Sequence, residues 1–122
     1  MSVKKILVIE DDKDIRRVLE VRLEMEGFEV ITASDGIEGI AKAKAEGPDL
    51  ILLDLKLPGM PGEQICRDLR KDVKYKNLPI IMITGKAADA DRVIGKVIGA
   101  NCYMVKPFDI DELLVNINSM IK

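Results

Sequence analysis

The 122-residue sequence contains no histidine and only two cysteines. Without histidine, the chain lacks an imidazole that could serve as a general base or a metal ligand. Cys66 and Cys102 lie far apart and fit no metal-binding or redox spacing. Both fall in apolar patterns, which predicts two small, reduced core residues, as is typical of a cytoplasmic protein.

The sequence also lacks long apolar runs and a strong charge of either sign. No run approaches the roughly 18–20 residues of a membrane span, and the N-terminus leads directly into a strand-like segment, so we expect neither a membrane span nor a signal peptide. The formal net charge of −2 predicts no direct binding to nucleic acid. Length and composition predict a single domain over residues 1–122, either a whole protein or a piece of a longer one.

Short apolar runs alternate five times with segments whose apolar residues recur at helical spacing. The predicted strands cover residues 5–9, 28–33, 50–54, 79–84 and 101–105. The predicted helices follow them at about 13–26, 35–45, 62–73, 90–98 and 109–121. This alternation implies right-handed crossovers and predicts an α/β, doubly wound sandwich with a five-stranded parallel sheet.

The third predicted strand runs from four apolar residues straight into the carboxylate of Asp54. A continuous apolar run is typical of a strand buried on both faces, which can end in a charge only at the rim of the sheet. The rim at the carboxyl ends of parallel strands is where ligands bind. Three other strands bring polar groups to this rim: Glu10, Asp11 and Asp12, then Thr84, then Lys106.

Helix capping is the ordinary reason for acidic and hydroxyl residues near strand ends. It accounts for Asp12, Asp14, Ser34, Asp35 and Asp109. It does not account for Asp54, because a loop with two prolines separates this residue from the next helix. It does not account for Lys106 either, because a cation ahead of a helix N-terminus opposes the helix dipole.

Glu10, Asp11 and Asp54 would repel one another in one cleft unless a cation neutralised them or one were protonated. Hard carboxylate oxygens favour Mg²⁺, with Mn²⁺ as the alternative, over zinc. Such a cation prefers a phosphoryl partner, whose oxygens the hydroxyl of Thr84 and the ammonium of Lys106 would stabilise. A carboxylate that attacks phosphorus gives an aspartyl phosphate, and Asp54 is the best placed to attack.

Four motifs at the ends of the predicted strands resemble those of a response-regulator receiver domain. They are Glu10-Asp11-Asp12, Asp54-Leu55-Lys56-Leu57-Pro58-Gly59, Ile83-Thr84-Gly85 and Tyr103-Met104-Val105-Lys106-Pro107-Phe108. Each motif is weak alone, but all four in order, over the whole chain, are specific. The resemblance implies a flavodoxin-like (βα)5 fold with the strand order 2-1-3-4-5 of the chemotaxis response regulator.

By this resemblance, Asp54 is the phosphoacceptor of a two-component phosphorelay, in a signalling switch rather than a metabolic enzyme. The domain would nevertheless catalyse its own phosphorylation and dephosphorylation. Asp11 and Asp54 would ligate Mg²⁺ together with the backbone carbonyl of Lys56, while Glu10 would act in the acidic pocket through water. The expected phosphodonors are a histidine kinase or a phosphotransfer protein.

The resemblance also implies how a signal would leave the site. Thr84 and Lys106 would bind phosphoryl oxygens, and the Lys106–Pro107 bond is expected to be cis. Tyr103 would turn inward as Thr84 moves, and would change the face formed by the fourth helix, the fifth strand and the fifth helix. The alternative for Tyr103 is a half-buried strand tyrosine with its hydroxyl in water. The output protein is unknown, and a monomer or weak dimer is expected.

Three other classes of protein share part of this pattern. A haloacid-dehalogenase-like phosphatase needs a second acid two residues after its nucleophile, where this chain has Lys56. A flavodoxin-like flavin carrier needs a Ser/Thr/Gly-rich phosphate loop after strand one, where this chain is acidic. A receiver-like module that works by protein contact without phosphorylation is the more serious rival, although such modules usually lack one of the site residues present here.

Overall fold

The computed structural model describes residues 3–85 and 99–121. Five strands occur in chain order: β1 (Lys5–Ile9), β2 (Glu29–Ala33), β3 (Leu50–Asp54), β4 (Ile80–Thr84) and β5 (Cys102–Val105). The helices are α1 (Lys13–Met25), α2 (Gly36–Glu46), α3 (Gly62–Arg70), a short 3-10 helix (Val73–Tyr75) and the C-terminal helix (Ile110–Ile121). The predicted helix at 90–98 lies outside the described residues.

The five strands pair in parallel in the order β2-β1-β3-β4-β5, which confirms the order that the resemblance implied. Strands β3 and β4 are buried along their whole length, whereas the edge strand β2 is half exposed. Strands β1 and β3 are neighbours in the sheet although β2 lies between them in the chain. The strand order therefore reverses between β1 and β3. In open α/β sheets, ligands bind at this point of reversal, the topological switch point.

Alternate residues of the central strands enter two separate apolar cores, as the two-residue period of a strand requires. Leu7 and Ile51 lie in the core that α2 and α3 cover. Ile6 and Leu50 lie in the core that α1 and the C-terminal helix cover. The sheet is thus covered on both sides, which holds the strand ends in fixed positions. In the described parts of the chain, no helix has both the length and the apolar character needed to cross a bilayer.

The capping interpretation of the acidic residues is confirmed at three helix starts. Oδ1 of Asp12 accepts from the N–H groups of Asp14 (2.9 Å) and Ile15 (3.1 Å) at the start of α1. Asp35 caps α2 by accepting from the N–H of Glu38 across 2.8 Å, and Oδ1 of Asp109 accepts from the N–H of Asp111 across 2.9 Å. These carboxylates are therefore occupied by local structure.

The predicted third helix was too long at its C-terminal end. It stops at Arg70, and Val73 begins the short 3-10 helix with its side chain 86% exposed rather than on an inner face. Of the two cysteines, Cys66 is buried in the core as predicted, whereas Cys102 is only half buried at the edge of the sheet. Neither of them forms a disulfide.

Candidate functional site

Three carboxylates meet at the carboxyl ends of the neighbouring strands β1 and β3. One oxygen from each of Glu10, Asp11 and Asp54 lies within 4.8 Å of the other two, and we call these residues the acidic cluster. Glu10 is 1% exposed and Asp54 6% exposed, whereas Asp11 is open to solvent. The cluster forms because the first and third strands are neighbours in the sheet and end at the same rim.

Lys106 places a cation between two of these carboxylates. Its Nζ donates to Oε1 of Glu10 across 3.1 Å and to Oδ2 of Asp54 across 3.2 Å. The backbone N–H of Lys106 donates to the carbonyl of Thr84 across 2.7 Å, which ties the residue to the end of β4. The Lys106–Pro107 peptide bond is cis, as expected.

Asp54 is held from both sides at the end of β3. Its Oδ1 accepts from the backbone N–H of Lys56 across 3.2 Å, so the turn after the strand fixes the carboxylate. The N–H of Leu55 donates to the carbonyl of Ile83 across 2.7 Å, and the N–H of Gly62 donates to the carbonyl of Leu55 across 2.8 Å. The loop from Lys56 onward is therefore part of the wall around Asp54.

Thr84 lies on β4, the strand beside β3, and Tyr103 lies on the edge strand β5 beyond it. Thr84 is the last residue of β4 and is 1% exposed. It is in register with Val105 of β5, directly before Lys106. Tyr103 is not part of the acidic cluster: it lies in the edge strand β5, opposite Met82, with 38% of its surface exposed.

Burial and mutual repulsion shape the electrostatics of the site. Burial, together with the neighbouring Asp54 carboxylate, raises the pKa of Glu10 to about 7, although Lys106 opposes this effect. Burial by itself would lower the pKa of Lys106, but attraction to Asp54 and Glu10 outweighs burial, so its pKa is raised and its ammonium group stays charged. The cluster thus carries excess negative charge that one lysine does not neutralise.

One residue at the site was missed by sequence reasoning. Arg16, in α1, turns its side chain back so that Nη1 donates to the carbonyls of Glu10 (2.9 Å) and Asp11 (3.4 Å). In the sequence it was only one of several polar residues on α1. Nothing in the helical pattern separates it from the adjacent Arg17, because only the packing angle of α1 decides which arginine reaches the loop.

An apolar cleft of about 520 Å³ opens beside this site, between α1 and the start of the C-terminal helix. Ile15, Leu19 and Phe108 contribute to its wall, and Lys106 lies at the side nearest the acidic cluster. The site therefore combines a charged centre with an adjacent apolar surface.

The family model described as the response regulator receiver domain matches residues 6–118. The chain belongs to this family. Receiver domains are phosphoacceptor signalling domains of two-component systems rather than classical enzymes, and they interact with histidine kinases and output domains. The arrangement of acidic cluster and lysine described above is thus found in a chain whose family works with phosphoryl groups.

Similar proteins extend this result. The chain is 44% identical over 119 residues to a probable transcriptional regulator, ycf27, from Cyanophora paradoxa, which covers 98% of this chain and 48% of that protein. The chain spans about half the length of the curated relatives it matches. The receiver domain is therefore one part of those relatives.

Two solved structures match the fold over nearly the whole chain. The chemotaxis response regulator CheY4 of Vibrio cholerae has a TM-score of 0.90 and 34% identity over 98% of this chain and 99% of that one. The response regulator TrrA of Thermotoga maritima, solved in complex with Mg²⁺–BeF, has a TM-score of 0.85 and 34% identity over 97% of this chain and 99% of that one. Both likenesses confirm the flavodoxin-like fold.

Proposed function

We propose that this receiver domain is a phosphorylation-driven switch whose acceptor is Asp54. The observation that carries the proposal is the position of Lys106 between Glu10 and Asp54, in a three-carboxylate cluster at the switch point of the sheet. A buried carboxylate beside a fixed ammonium group is suited to a nucleophile whose product carries more negative charge. Residues 1–122 would then form a single receiver domain.

The transfer step is an in-line displacement at phosphorus. An oxygen of Asp54 forms a bond to phosphorus, while the P–N bond of a phosphohistidine or the P–O bond of a small acyl phosphate breaks. The electron pair leaves with the imidazole nitrogen or with the carboxylate of the donor. Lys106 stays protonated and exchanges its contact with Asp54 for a phosphoryl oxygen, while the hydroxyl of Thr84 donates to another. The domain would catalyse this step, and the later hydrolysis, on itself.

The acidic cluster fits a small divalent cation. Its oxygens lie within 4.8 Å of one another, and two of the three side chains are buried, so the excess charge is concentrated in one place. Asp11, Asp54 and the backbone carbonyl of Lys56 would hold Mg²⁺, or Mn²⁺ in its place, and Glu10 would contribute through water. The ion would supply neutralisation of phosphoryl charge. The Mg²⁺–BeF complex of TrrA supports this choice.

The signal would leave through β4 and β5. Thr84 ends β4, and its carbonyl accepts a hydrogen bond from the backbone N–H of Lys106, directly after β5. A movement of Thr84 toward a phosphoryl group would therefore be transmitted to β5. Tyr103 lies in β5 and is partly exposed, and its ring would turn inward as Thr84 moves. The face formed by the fourth helix, the fifth strand and the fifth helix would then bind an output partner. The phosphodonor would be a histidine kinase or a phosphotransfer protein, and the receiver unit itself would not contact nucleic acid or membrane.

Radiolabelling from an acyl phosphate tests the assignment. Wild-type protein with Mg²⁺ should take up one label that hydroxylamine removes, as expected for an acyl phosphate, and a chelator should prevent uptake. Asp54→Asn should abolish labelling. Asp109→Asn is the matched control, because Asp109 is an exposed helix cap, and it should label as wild type does. If Asp54→Asn labels normally, Asp54 is not the acceptor; if wild type does not label at all, the phosphorylation-independent interaction module is favoured.

A further inference from the structure

The side chain of Arg16 holds the backbone of the loop that carries the acidic residues. Its Nη1 donates to the carbonyl of Glu10 across 2.9 Å and to the carbonyl of Asp11 across 3.4 Å. The guanidinium group therefore binds the main chain of two of the three residues in the acidic cluster. The contact with Glu10 has an ordinary hydrogen-bond length and that with Asp11 is longer, and together they resist rotation of the two carbonyls relative to α1.

The neighbouring groups of this loop are fixed by other means. The N–H of Glu10 donates to the carbonyl of Ala33 across 3.0 Å, which extends the pairing of β1 with β2. The N–H of Asp12 donates to Oε2 of Glu10 across 3.1 Å, and the carbonyl of Asp12 accepts from the N–H of Arg16 across 2.9 Å. The Arg16 side chain thus holds the carbonyls that lie between these fixed points.

Asp11 is the member of the acidic cluster that most needs such support. Glu10 and Asp54 are buried and lie directly at strand ends, whereas Asp11 is exposed and lies in the loop. Its carboxylate is drawn within 4.8 Å of two others of the same charge. Repulsion of this kind favours a rotation of the Asp11 backbone that would carry the carboxylate away from the cluster.

We propose that Arg16 is a positioning residue that sets the cation affinity of the acidic cluster by holding the carbonyls of Glu10 and Asp11. This inference rests on the proposed function, because it assigns Arg16 a part in binding the Mg²⁺ that phosphorylation uses. Arginine suits the task because its planar guanidinium group is always charged and keeps its donors in a fixed geometry. Outer partners of metal ligands typically change metal affinity about 10- to 100-fold when they are removed.

The chain offers a matched control in Arg17. This arginine is the next residue of the same helix, but its Nη1 pairs with Glu20 across 2.8 Å and its side chain is 70% exposed. Replacing either arginine with methionine removes one positive charge from α1. Loss of charge alone should strengthen the binding of Mg²⁺, whereas loss of positioning should weaken it. The sign of the change therefore separates the two effects.

Isothermal titration of Mg²⁺ into wild type, Arg16→Met, Arg16→Lys and Arg17→Met measures this sign. We expect the Mg²⁺ dissociation constant to rise about tenfold in Arg16→Met. The dissociation constant should rise less in Arg16→Lys, which keeps the charge but loses the planar guanidinium group. It should stay unchanged or fall in Arg17→Met. Without metal, hydrogen exchange at the backbone amides of Asp11 and Asp12 should quicken in Arg16→Met, while exchange in β3 stays as in wild type.

Labelling with an acyl phosphate then separates binding from chemistry. In Arg16→Met the Mg²⁺ concentration for half-maximal labelling should rise as the dissociation constant does, while the maximal rate stays near that of wild type. An Arg16→Met protein that binds Mg²⁺ as tightly as Arg17→Met overturns the inference and leaves the proposed function standing. If Arg16→Met fails to fold, unchanged Mg²⁺ binding by Arg16→Lys overturns the inference in the same way. Failure of wild type to bind Mg²⁺ overturns both.

Discussion

Nζ of Lys106 lies 3.1 Å from Oε1 of Glu10, although 96 residues separate the two along the chain. The pair forms because β1 and the loop after β5 end at the same rim of the sheet. The same ammonium group reaches Asp54 at 3.2 Å, so one lysine is shared between two carboxylates. In the metal-free domain this lysine offsets part of the charge of the two buried acids, so it acts as their counter-ion. Its part as a phosphoryl ligand stays a prediction.

Lys106→Met should destabilise the metal-free domain, because it leaves Glu10 and Asp54 buried without their cation. We expect the free energy of unfolding in urea to fall by about 2 kcal/mol, the typical contribution of hydrogen bonds to charged groups. Lys71→Met is the control, since the Lys71 side chain is 78% exposed and its Nζ makes only a long contact, 3.8 Å, with Oδ1 of Asp68. Its effect should stay within about 0.5 kcal/mol. Equal stabilities for the two variants would show that Lys106 is not a structural counter-ion.

The raised pKa of Glu10 predicts how the stability of the metal-free domain depends on pH. Burial and the neighbouring Asp54 raise this pKa from 4.5 to about 7, so the folded state favours the protonated acid. The resulting stabilisation is fully present below the unfolded pKa and is lost as pH rises through 7. Between pH 5.5 and pH 8, the free energy of unfolding should therefore fall by on the order of 2 kcal/mol from this group.

Urea titrations with a chelator present would measure this dependence. Glu10→Gln is the control, because an amide of the same shape cannot titrate, and its stability should be nearly flat over the same pH interval. Mg²⁺ should remove the dependence in wild type by keeping Glu10 ionised. A wild-type curve that runs parallel to that of Glu10→Gln would contradict the prediction.

Tyr103 should respond to activation whereas Tyr75 should not. The chain has two tyrosines, and Tyr103 is 38% exposed in the edge strand while Tyr75 is 6% exposed. Fluorine NMR of protein made with 3-fluorotyrosine should therefore show one resonance that shifts and loses solvent accessibility when Mg²⁺ and beryllofluoride are added. Tyr103→Phe identifies that resonance by its disappearance. A Tyr103 signal that stays unchanged by the adduct would leave it as an ordinary strand tyrosine.

The alternation of strands and helices and the gathering of residues at the rim followed from local sequence patterns, whereas the strand order followed from the family resemblance. Buried strands such as β3 are continuous apolar runs, and in a parallel sheet their ends necessarily meet at one edge. Glu10, Asp11 and Asp54 were therefore expected near one another, and the structure brings them together. The parts they play in metal binding and phosphorylation remain predictions.

Other features depend on how elements pack, which no local pattern encodes. The helical spacing of apolar residues extends to Val73, past the end of α3 at Arg70. Sequence periodicity does not show where the backbone leaves the helix. Arg16 and Arg17 were equivalent in sequence, and only the rotation of α1 against the loop separates them. The sharing of Lys106 between two acids likewise depends on side-chain distances of about 3 Å, which no motif specifies.

The close packing of Gly62 against the backbone of Asp54 and Leu55 predicts a strict requirement for glycine at position 62. A Cβ on Gly62 would overlap the carbonyl oxygen of Asp54 and lie 2.8 Å from Cα of Leu55, and neither backbone atom can move without displacing the end of β3. We expect Gly62→Ala to lower the free energy of unfolding by about 2 kcal/mol, as overpacking usually does, and to weaken Mg²⁺ binding by shifting Asp54. Gly85→Ala is the control, because a Cβ there meets no atom of residues 3–85 and 99–121 within 4 Å, so its unfolding free energy should stay within about 0.5 kcal/mol of wild type. Urea unfolding of both variants, followed by Mg²⁺ titration, measures the two effects. If Gly62→Ala is as stable as Gly85→Ala, the loop after Asp54 is softer than its hydrogen bonds indicate.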